Sequence, residues 1–303
     1  MQTLKRNKHL SSVLDSSQNF LLNAGTRGHL EARYVRRKLE YISAYVSSHY
    51  GCNMGCKFCH LTNMPHEHRN LISAKLPEYN SQLNTIIDYT KAIQTIGIPL
   101  PNRVNVNFMA RGDVFANSVV VNNYEKLHSD FKENIKRLGN DPQLKMNLSS
   151  IFPKTIEKRS LVNILGNTPN TYIYYSMYSV RDSFRSYWMP NAIHYDKALQ
   201  KIKEYQETNG REITFHWAFI EGHNDKMKDV ISLAKVIDSY KFTLSKFNLV
   251  RFNSPKSIWK EPSEEKLQDL FNVVAQVMVG GKSKIVSRVG QDVAASCGMF
   301  ISQ

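Results

Sequence analysis

The sequence contains few cysteines and no long apolar segment. Three of its four cysteines fall within eight positions, which does not suit a disulfide framework in a chain of 303 residues. No run of about 18 apolar residues occurs, so no membrane-spanning segment is expected. The N-terminal region has neither an apolar core nor a small-residue cleavage site, so no secretory signal is expected either. These absences favour a protein of the cytoplasm, where thiols stay reduced.

Acidic residues are fewer than basic residues in this sequence. The chain has 26 Asp and Glu against 40 Lys and Arg, which gives a formal net charge of +14. Such an excess predicts a polyanionic partner, with nucleic acid as the first candidate. The alternative is a soluble protein that is basic for no specific reason. Hydrophobic residues make up 42% of the chain, which indicates a folded rather than a disordered protein.

Strand and helix patterns alternate through six units from Glu31 onward. This alternation predicts a parallel sheet with helices outside, in the form of a partial (β/α)6 TIM-like barrel over residues 31–303. Residues 1–30 are predicted to be a short extension, helical or irregular. In such barrels the chemistry lies at the carboxyl ends of the strands, so polar residues there should line one cavity.

Three cysteines follow the first predicted barrel strand, residues 41–46. Cys52, Cys56 and Cys59 are spaced Cys-x3-Cys-x2-Cys, with the aromatic Phe58 before the last. Three thiolates can hold a four-iron cluster and leave one iron without a protein ligand. That iron can bind S-adenosylmethionine (SAM), and the cluster can reduce its sulfonium to release a 5′-deoxyadenosyl radical.

A structural zinc site is the alternative for these cysteines. His60, His66 or His68 could complete a Cys3His tetrahedron. Zinc ligands more often begin with a Cys-x2-Cys pair, so the Cys-x3-Cys opening favours the cluster.

The cysteine spacing resembles the signature of the radical SAM superfamily. Residues 47–59, from Ser47 to Cys59, resemble the cysteine stretch of one branch, the RlmN/Cfr family of RNA methyltransferases, almost residue for residue. Residues 287–298, which include Cys297, resemble that family's second cysteine segment. The resemblance covers about residues 31–300. It implies a radical SAM fold, a 4Fe-4S cluster, SAM, an RNA substrate (rRNA or tRNA), and an electron donor such as flavodoxin or ferredoxin.

The resemblance also implies residue roles. Cys52, Cys56 and Cys59 would hold the cluster, Cys297 would become a methyl-cysteine that passes its carbon to an adenine, and Glu31 would accept a proton. The family pattern places SAM contacts at Gly112, Asp113, Ser149, Ser176, Tyr178 and Asn253.

Each role has a plainer alternative. Glu31 could be a solvated charge on a strand. Ser149 and Asn253 could cap strand ends, and Cys297 could be an inert buried thiol. The small residues before Cys297 and the glycine after it favour a reactive loop over a packed core.

The sequence departs from the family pattern in four places. The family's Gly-Glu-Pro motif is replaced by Gly112-Asp113-Val114, and its Ser-Leu-His motif is replaced by Ser176-Met177-Tyr178. The family's N-terminal RNA-binding domain has no counterpart, because residues 1–30 are too short for a domain. The family's second, resolving cysteine is replaced by Tyr45, and no spare cysteine occurs elsewhere.

The sequence therefore predicts a radical SAM methyltransferase that acts on an adenine of structured RNA. One alternative is an enzyme of the same descent with a changed reaction or substrate. The other is a zinc-stabilised basic RNA-binding protein without activity. Basic residues predicted to bind RNA phosphates are Arg33, Arg36, Arg37, Lys38, Arg181 and Arg185.

Overall fold

A computed structural model describes residues 5–65 and 70–301 of the chain. His66 and His68, named above as zinc ligands, lie outside the described residues. No helix of the described part is long and apolar enough to cross a membrane.

Ten strands of the described residues form one sheet in which they are ordered as in the sequence. The strands are β1 (Lys5–Ser11), β2 (Gln18–Asn23), β3 (His29–Lys38), β4 (Tyr41–Val46), β5 (Arg103–Phe108), β6 (Gln143–Ser150), β7 (Thr171–Tyr175), β8 (Ile213–Trp217), β9 (Ser245–Val250) and β10 (Lys284–Val286). The first four strands pair antiparallel, and β4 to β10 pair parallel. The six predicted strand–helix units are thus confirmed.

Helices cover the outer face of the parallel strands. In chain order, the helices of the described residues are α1 (His60–Asn63), α2 (Leu76–Gln94), α3 (Ser118–Ile135), α4 (Leu161–Leu165), α5 (Asp182–Trp188), α6 (Tyr195–Asn209), α7 (Met227–Ser239) and α8 (Glu264–Ala275). The short α1 is an exception to this arrangement, because its Leu61 and Thr62 line the inner cavity. Side chains alternate along each strand, so every second residue packs beneath these helices. On β5 these are the buried Val104, Val106 and Phe108.

The opposite face of the strands is polar and surrounds a cavity. Residues from β3, β4 and β6 and from the carboxyl ends of β5 and β7 to β10 all line this one cavity. The sheet therefore curves around it as the predicted partial barrel. A closed (β/α)8 barrel fills its interior with branched apolar side chains, whereas the partial barrel here leaves a cavity lined by both polar and apolar residues.

The prediction of a helical or irregular N-terminal extension is wrong. β1 and β2 form an antiparallel hairpin, and β2 pairs with β3, so the extension continues the barrel sheet. Phe20, Leu21 and Leu22 are consecutive and all buried, because both faces of β2 are covered. A strand buried on both faces lacks the alternation by which strands are found in a sequence.

Candidate active site

The cysteine loop begins directly after β4 and is held by backbone hydrogen bonds. The Cys59 N–H donates to the Cys56 carbonyl at 3.0 Å, and the Lys57 N–H donates to the Trp188 carbonyl at 3.0 Å. Asn117, the N-cap of α3, donates to the Ser48 carbonyl at 2.6 Å and so ties this helix to the loop. Cys52, Cys56 and Cys59 all line the barrel cavity, as the position after the strand predicts.

The three thiols are largely shielded from water and lie near one another. Burial, with the Cys59 thiol adding to it, raises the pKa of Cys52 to about 12. Burial also raises the pKa of Cys59 to about 11 and that of Cys56 well above its ordinary value. Such thiols ionise when a cation binds and displaces their protons.

A single metal ion finds no ligand set in the described part of the chain. No three His, Cys, Asp or Glu side chains there converge on one ion position. His60 lies beside the cysteines, but its Nε2 is 3.3 Å from the Asn253 carbonyl oxygen, and burial lowers its pKa. A four-iron cluster needs thiols spread over three different irons, so the three cysteines fit a cluster better than a zinc ion.

Cys297 enters the same cavity from the other end of the chain. The His60 N–H donates to the Gly298 carbonyl at 3.0 Å, and the Asn253 side chain donates to the Cys297 carbonyl at 2.9 Å. The residue is exposed to the cavity, and its thiol is close enough to that of Cys59 for their charges to interact. The surrounding protein raises the pKa of Cys297 to about 11, and Arg33 opposes the shift. Two cysteine motifs distant in sequence thus share one site.

Glu31 is buried and fully paired. One carboxylate oxygen accepts from Arg111 at 2.9 Å and from the Ile301 N–H at 3.0 Å, and the other accepts from Arg33 at 2.6 Å. Burial alone would raise the pKa of Glu31, but the guanidinium groups of Arg33 and Arg111 outweigh it and lower the pKa. The alternative of a solvated charge is wrong. The proton-acceptor role stays a prediction, and it concerns a side chain that does not line the cavity.

Two arginines around Glu31 hold the C-terminal segment, and sequence reasoning did not assign them this role. Arg33 donates to the Ala295 carbonyl at 3.2 Å and the Met299 carbonyl at 2.7 Å. Arg111 donates to the Ile301 carbonyl at 2.8 Å. We name Glu31, Arg33 and Arg111 the C-terminal clamp. The signal that could have pointed to it is the Glu-x-Arg pair on a strand whose other face is apolar.

The residues predicted to contact SAM all line the cavity, namely Gly112, Asp113, Ser149, Ser176, Tyr178 and Asn253. Among the described residues, the hydroxyls of Ser149 and Ser176 have no hydrogen-bond partner in the protein and are open to a ligand. Tyr178 stacks on Phe58 with ring centroids 4.2 Å apart. The predicted SAM contacts remain predictions, but their common location is what such contacts require.

Asp113 and Asn253 are already occupied by protein groups. The Asp113 carboxylate accepts from the Ser150 hydroxyl at 2.8 Å and from the backbone N–H groups of Phe115 and Ile151 at 3.0 Å. Burial nevertheless raises its pKa to about 6. The Asn253 amide donates to Ser296 and Cys297. Both side chains therefore shape the cavity wall, and Asn253 positions the Cys297 segment.

Two of the arginines predicted to bind RNA are buried instead. Arg33 is 1% exposed and belongs to the C-terminal clamp, while Arg185 is 5% exposed and donates to the carbonyls of Met177 and Ile193. The prediction is wrong for these two, since both guanidinium groups are buried and donate to acceptors within the protein. Arg37 and Lys38 are exposed at the end of β3.

Tyr45 lies on the cavity face of β4, level with Arg33 on β3 and Asn107 on β5. Cys52, Cys56, Cys59 and Cys297 account for every cysteine of the sequence. The cavity therefore contains no further thiol.

Comparison with solved structures defines the class of fold. The chain superposes over 99% of its length on the crystal structure of a radical SAM methyltransferase from Sphaerobacter thermophilus, covering 81% of that chain, with a TM-score of 0.75 and 19% sequence identity. The predicted fold, the partial barrel of the radical SAM type, is confirmed.

Sequence comparison gives the particular relatives. The chain is 27% identical to the dual-specificity RNA methyltransferase RlmN of Campylobacter lari over 261 residues, which is 84% of this chain and 66% of the relative. It is 26% identical to the protein of the same name from Bdellovibrio bacteriovorus over 97% of this chain and 67% of the relative. No protein-family model matches. The predicted resemblance to RlmN proteins is confirmed, and the chain spans about two thirds of their length.

Proposed function

We propose that this chain is a radical SAM enzyme that methylates an adenine of structured RNA through a methyl-cysteine at Cys297. The observation that carries the proposal is the meeting of Cys52, Cys56, Cys59 and Cys297 in one cavity. A zinc site would use three of these thiols and leave the fourth without a role. The names of the relatives support methylation and an RNA substrate.

Cys52, Cys56 and Cys59 would hold a 4Fe-4S cluster. When bound, the cluster supplies the electron that cleaves SAM reductively. Ser149 and Ser176 offer hydroxyls to SAM at the carboxyl ends of β6 and β7, and the Phe58–Tyr178 pair offers an apolar surface beside them. Asp113 is one methylene shorter than the family's glutamate and is engaged by Ser150, so we assign it to shaping the cavity.

Cys297 would be the methyl acceptor. Its sulfur would bond to the methyl carbon of SAM and lose its thiol proton, and S-adenosylhomocysteine would be the leaving group. Asn253 and the C-terminal clamp fix the segment on both sides of Cys297, so its sulfur stays on the cavity wall. Fixing two reacting groups in one site removes much of the entropy cost of bringing them together.

The substrate is proposed to be rRNA or tRNA, in keeping with the net charge of +14. An electron donor such as flavodoxin or ferredoxin would supply the reducing equivalents. We place the protein in the cytoplasm, because thiol ligands to iron need a reducing compartment.

A second candidate function is a different reaction on the same scaffold, and Tyr45 favours it. The resemblance implies that a resolving cysteine releases the methylated product from the sulfur of the methyl-cysteine. A phenol cannot take over that step, since thiol–disulfide exchange needs a thiolate.

Anaerobic purification followed by product analysis tests the proposal. The full chain should bind about four irons, absorb broadly in the visible region and cleave SAM after reduction. Replacing Cys56 by Ala should abolish the iron and the cleavage, whereas Cys297→Ser should retain both and lose methylated adenosine in digests of incubated RNA. Full iron content in Cys56→Ala would contradict the cluster. SAM cleavage without a methylated nucleoside would favour the second candidate.

A further inference from the structure

A group of cations lies on the inner face of the barrel strands, toward the amino-terminal ends of these strands. It comprises Arg103 on β5, Lys145 on β6, Lys246 on β9 and Lys284 on β10, and we name it the lower basic cluster. The strand register pairs Lys145 with Asn105, two residues from Arg103 on β5, and pairs Lys284 with Asn248, two residues from Lys246 on β9. The charges of the other three cations all act on Lys145. These four residues belong neither to the proposed cluster site nor to the proposed SAM contacts.

The strand register places the cluster on the cavity face. Ser149, Val250 and Val286 line the cavity, and Lys145, Lys246 and Lys284 precede them on their strands by even numbers of residues. Residues an even number apart on a strand share a face. Four residues of strand span about 13 Å, so Lys145 lies at the amino-terminal end of the barrel, far from Ser149 and the cysteines.

The positive charge of the cluster is poorly compensated. Glu212 pairs with Lys246, and it is the carboxylate that acts on Lys145. Among the described residues, no carboxylate lies within 4 Å of the Lys145 ammonium, which instead lies 4.0 Å from the centre of the Tyr172 ring. Arg103 donates to Asn105 and lies over the Tyr41 ring. Four cations thus face one carboxylate.

This arrangement costs free energy in the absence of an anion. Burial lowers the pKa of Lys145 to about 8, and the charge of Lys246 adds to the shift while Glu212 opposes it. The pKa of Lys284 is lowered by burial and by Arg37, Lys246 and Lys38. If these four positions served stability alone, neutral side chains would be favoured, since like charges at short distance repel strongly away from bulk water.

We propose that the lower basic cluster binds a phosphate group, with Arg37 and Lys38 as its outer rim. A phosphate carries up to two negative charges and several acceptor oxygens, which suits four cations that have one carboxylate among them. SAM carries no phosphate, so the site is separate from the cofactor. Arg37, Lys38 and Lys284 are exposed and leave a route from solvent. The phosphate could belong to the RNA backbone or to a small molecule.

Two binding titrations on the full chain at low salt separate these sources. The probes are inorganic phosphate and a single-stranded RNA of about 12 nucleotides, and the readouts are calorimetry and the shift of the thermal midpoint. Lys145→Met keeps the length of the side chain and removes the charge. Lys284→Met tests an exposed member whose loss leaves the interior packing intact. Lys235→Met, an exposed site on α7, is the control for charge alone.

We expect Lys145→Met and Lys284→Met each to weaken binding of at least one probe about tenfold or more, with Lys235→Met within about twofold of the unaltered protein. A loss of affinity for RNA alone would assign the site to a backbone phosphate. A loss of affinity for inorganic phosphate would assign it to a small phosphate or nucleotide. The proposal is overturned if both probes bind the two variants as tightly as Lys235→Met, or if neither binds the unaltered chain. Neither readout needs SAM cleavage, so the outcome is independent of the proposed reaction.

Discussion

At the scale of single residues, the contacts of Glu31 bear on the proton-acceptor role that the resemblance implies for it. Its carboxylate is charged, buried and shared by Arg33 and Arg111. A carboxylate with a lowered pKa is a weak base, and here its acceptor sites are filled. The geometry points to a positioning role, in which Glu31 keeps two arginines aimed at the carbonyls around Cys297.

Glu31→Gln tests that role. It leaves two buried guanidinium groups without their counter-charge, and breaking one side of a buried ion pair costs about 3–5 kcal/mol. We expect a loss of that order in the free energy of unfolding measured with urea. Glu40→Gln, at an exposed position, should change it little. If Glu31→Gln unfolds like the unaltered protein and only turnover falls, Glu31 is a proton acceptor and not part of a clamp.

Tyr45 raises the question of product release. If the reaction passes through Cys297, the methylated base stays bound to its sulfur until a thiolate attacks. We expect a protein–RNA adduct that accumulates without added thiol and diminishes when a small thiol is supplied, measured on denaturing gels. Tyr45→Cys should also reduce it, because position 45 lines the cavity. Repeated turnover by the unaltered protein without thiol or adduct would show another route of release.

At the scale of elements, the turn after β5 is fixed by close packing against the cysteine loop. Gly112 has φ +86°, and a Cβ there would lie 2.4 Å from Nδ1 of His49 and 2.7 Å from the Ser48 hydroxyl. The Ser48 N–H donates to the Arg111 carbonyl at 2.8 Å. A side chain at position 112 would therefore push the loop that carries the cysteines away from the sheet.

Gly112→Ala can be compared with Gly139→Ala, which has the same φ of +86° and open space around the added atom. The left-handed conformation costs a non-glycine residue about 1–2 kcal/mol, and Gly139→Ala should show that cost alone. Gly112→Ala should lose about 2 kcal/mol more, the order of an overpacked core, in urea unfolding. It should also bind less iron. Equal losses in the two variants would mean that the His49 side chain moves aside freely.

The elements also show how far the sequence predicts this structure. The parallel strands were predictable, because alternation such as Val104, Val106 and Phe108 reflects one covered face. The strand β2 was not, because Phe20, Leu21 and Leu22 are buried by neighbours from distant parts of the chain. The meeting of Cys297 with the cysteine loop followed from resemblance alone. The C-terminal clamp was not predicted. The Glu31-x-Arg33 pair on β3 indicates buried charges, but it does not identify their partners, which are backbone groups about 190 to 270 residues away.

At the scale of the whole molecule, the excess of positive charge is unevenly distributed. Some arginines serve the fold internally, as Arg33, Arg111 and Arg185 do. The lower basic cluster instead concentrates charge at the amino-terminal end of the barrel. Charge that is neither paired nor fully solvated should affect both stability and binding.

The stability effect depends on pH. The groups facing Lys145 are Lys246, Arg103, Lys284 and Glu212, and its pKa falls from 10.5 to about 8 on folding. A lysine with a lowered folded pKa destabilises fully below that pKa, and its penalty disappears as pH rises toward the unfolded pKa. Lys145→Met should therefore be more stable than the unaltered protein at pH 7, and the difference should shrink between about pH 8 and 10.5. A difference independent of pH would show that Lys145 does not titrate in this range.

The binding effect depends on salt. Each phosphate neutralised by a cation steepens the fall of log K with log salt by about 0.7 for single-stranded nucleic acid. Arg37 and Lys38 are exposed at the rim of the lower basic cluster, so the double change to Gln should weaken RNA binding. The slope should become shallower by about 0.7 for each phosphate that these two side chains neutralise. The matched control is Lys228→Gln with Lys235→Gln, two exposed lysines on α7 that remove the same net charge. If RNA binds at the rim, the two doubles differ in slope. If RNA binding depends only on the overall net charge of +14, the two slopes coincide. The RNA that reaches the cysteines would then approach from another side of the barrel.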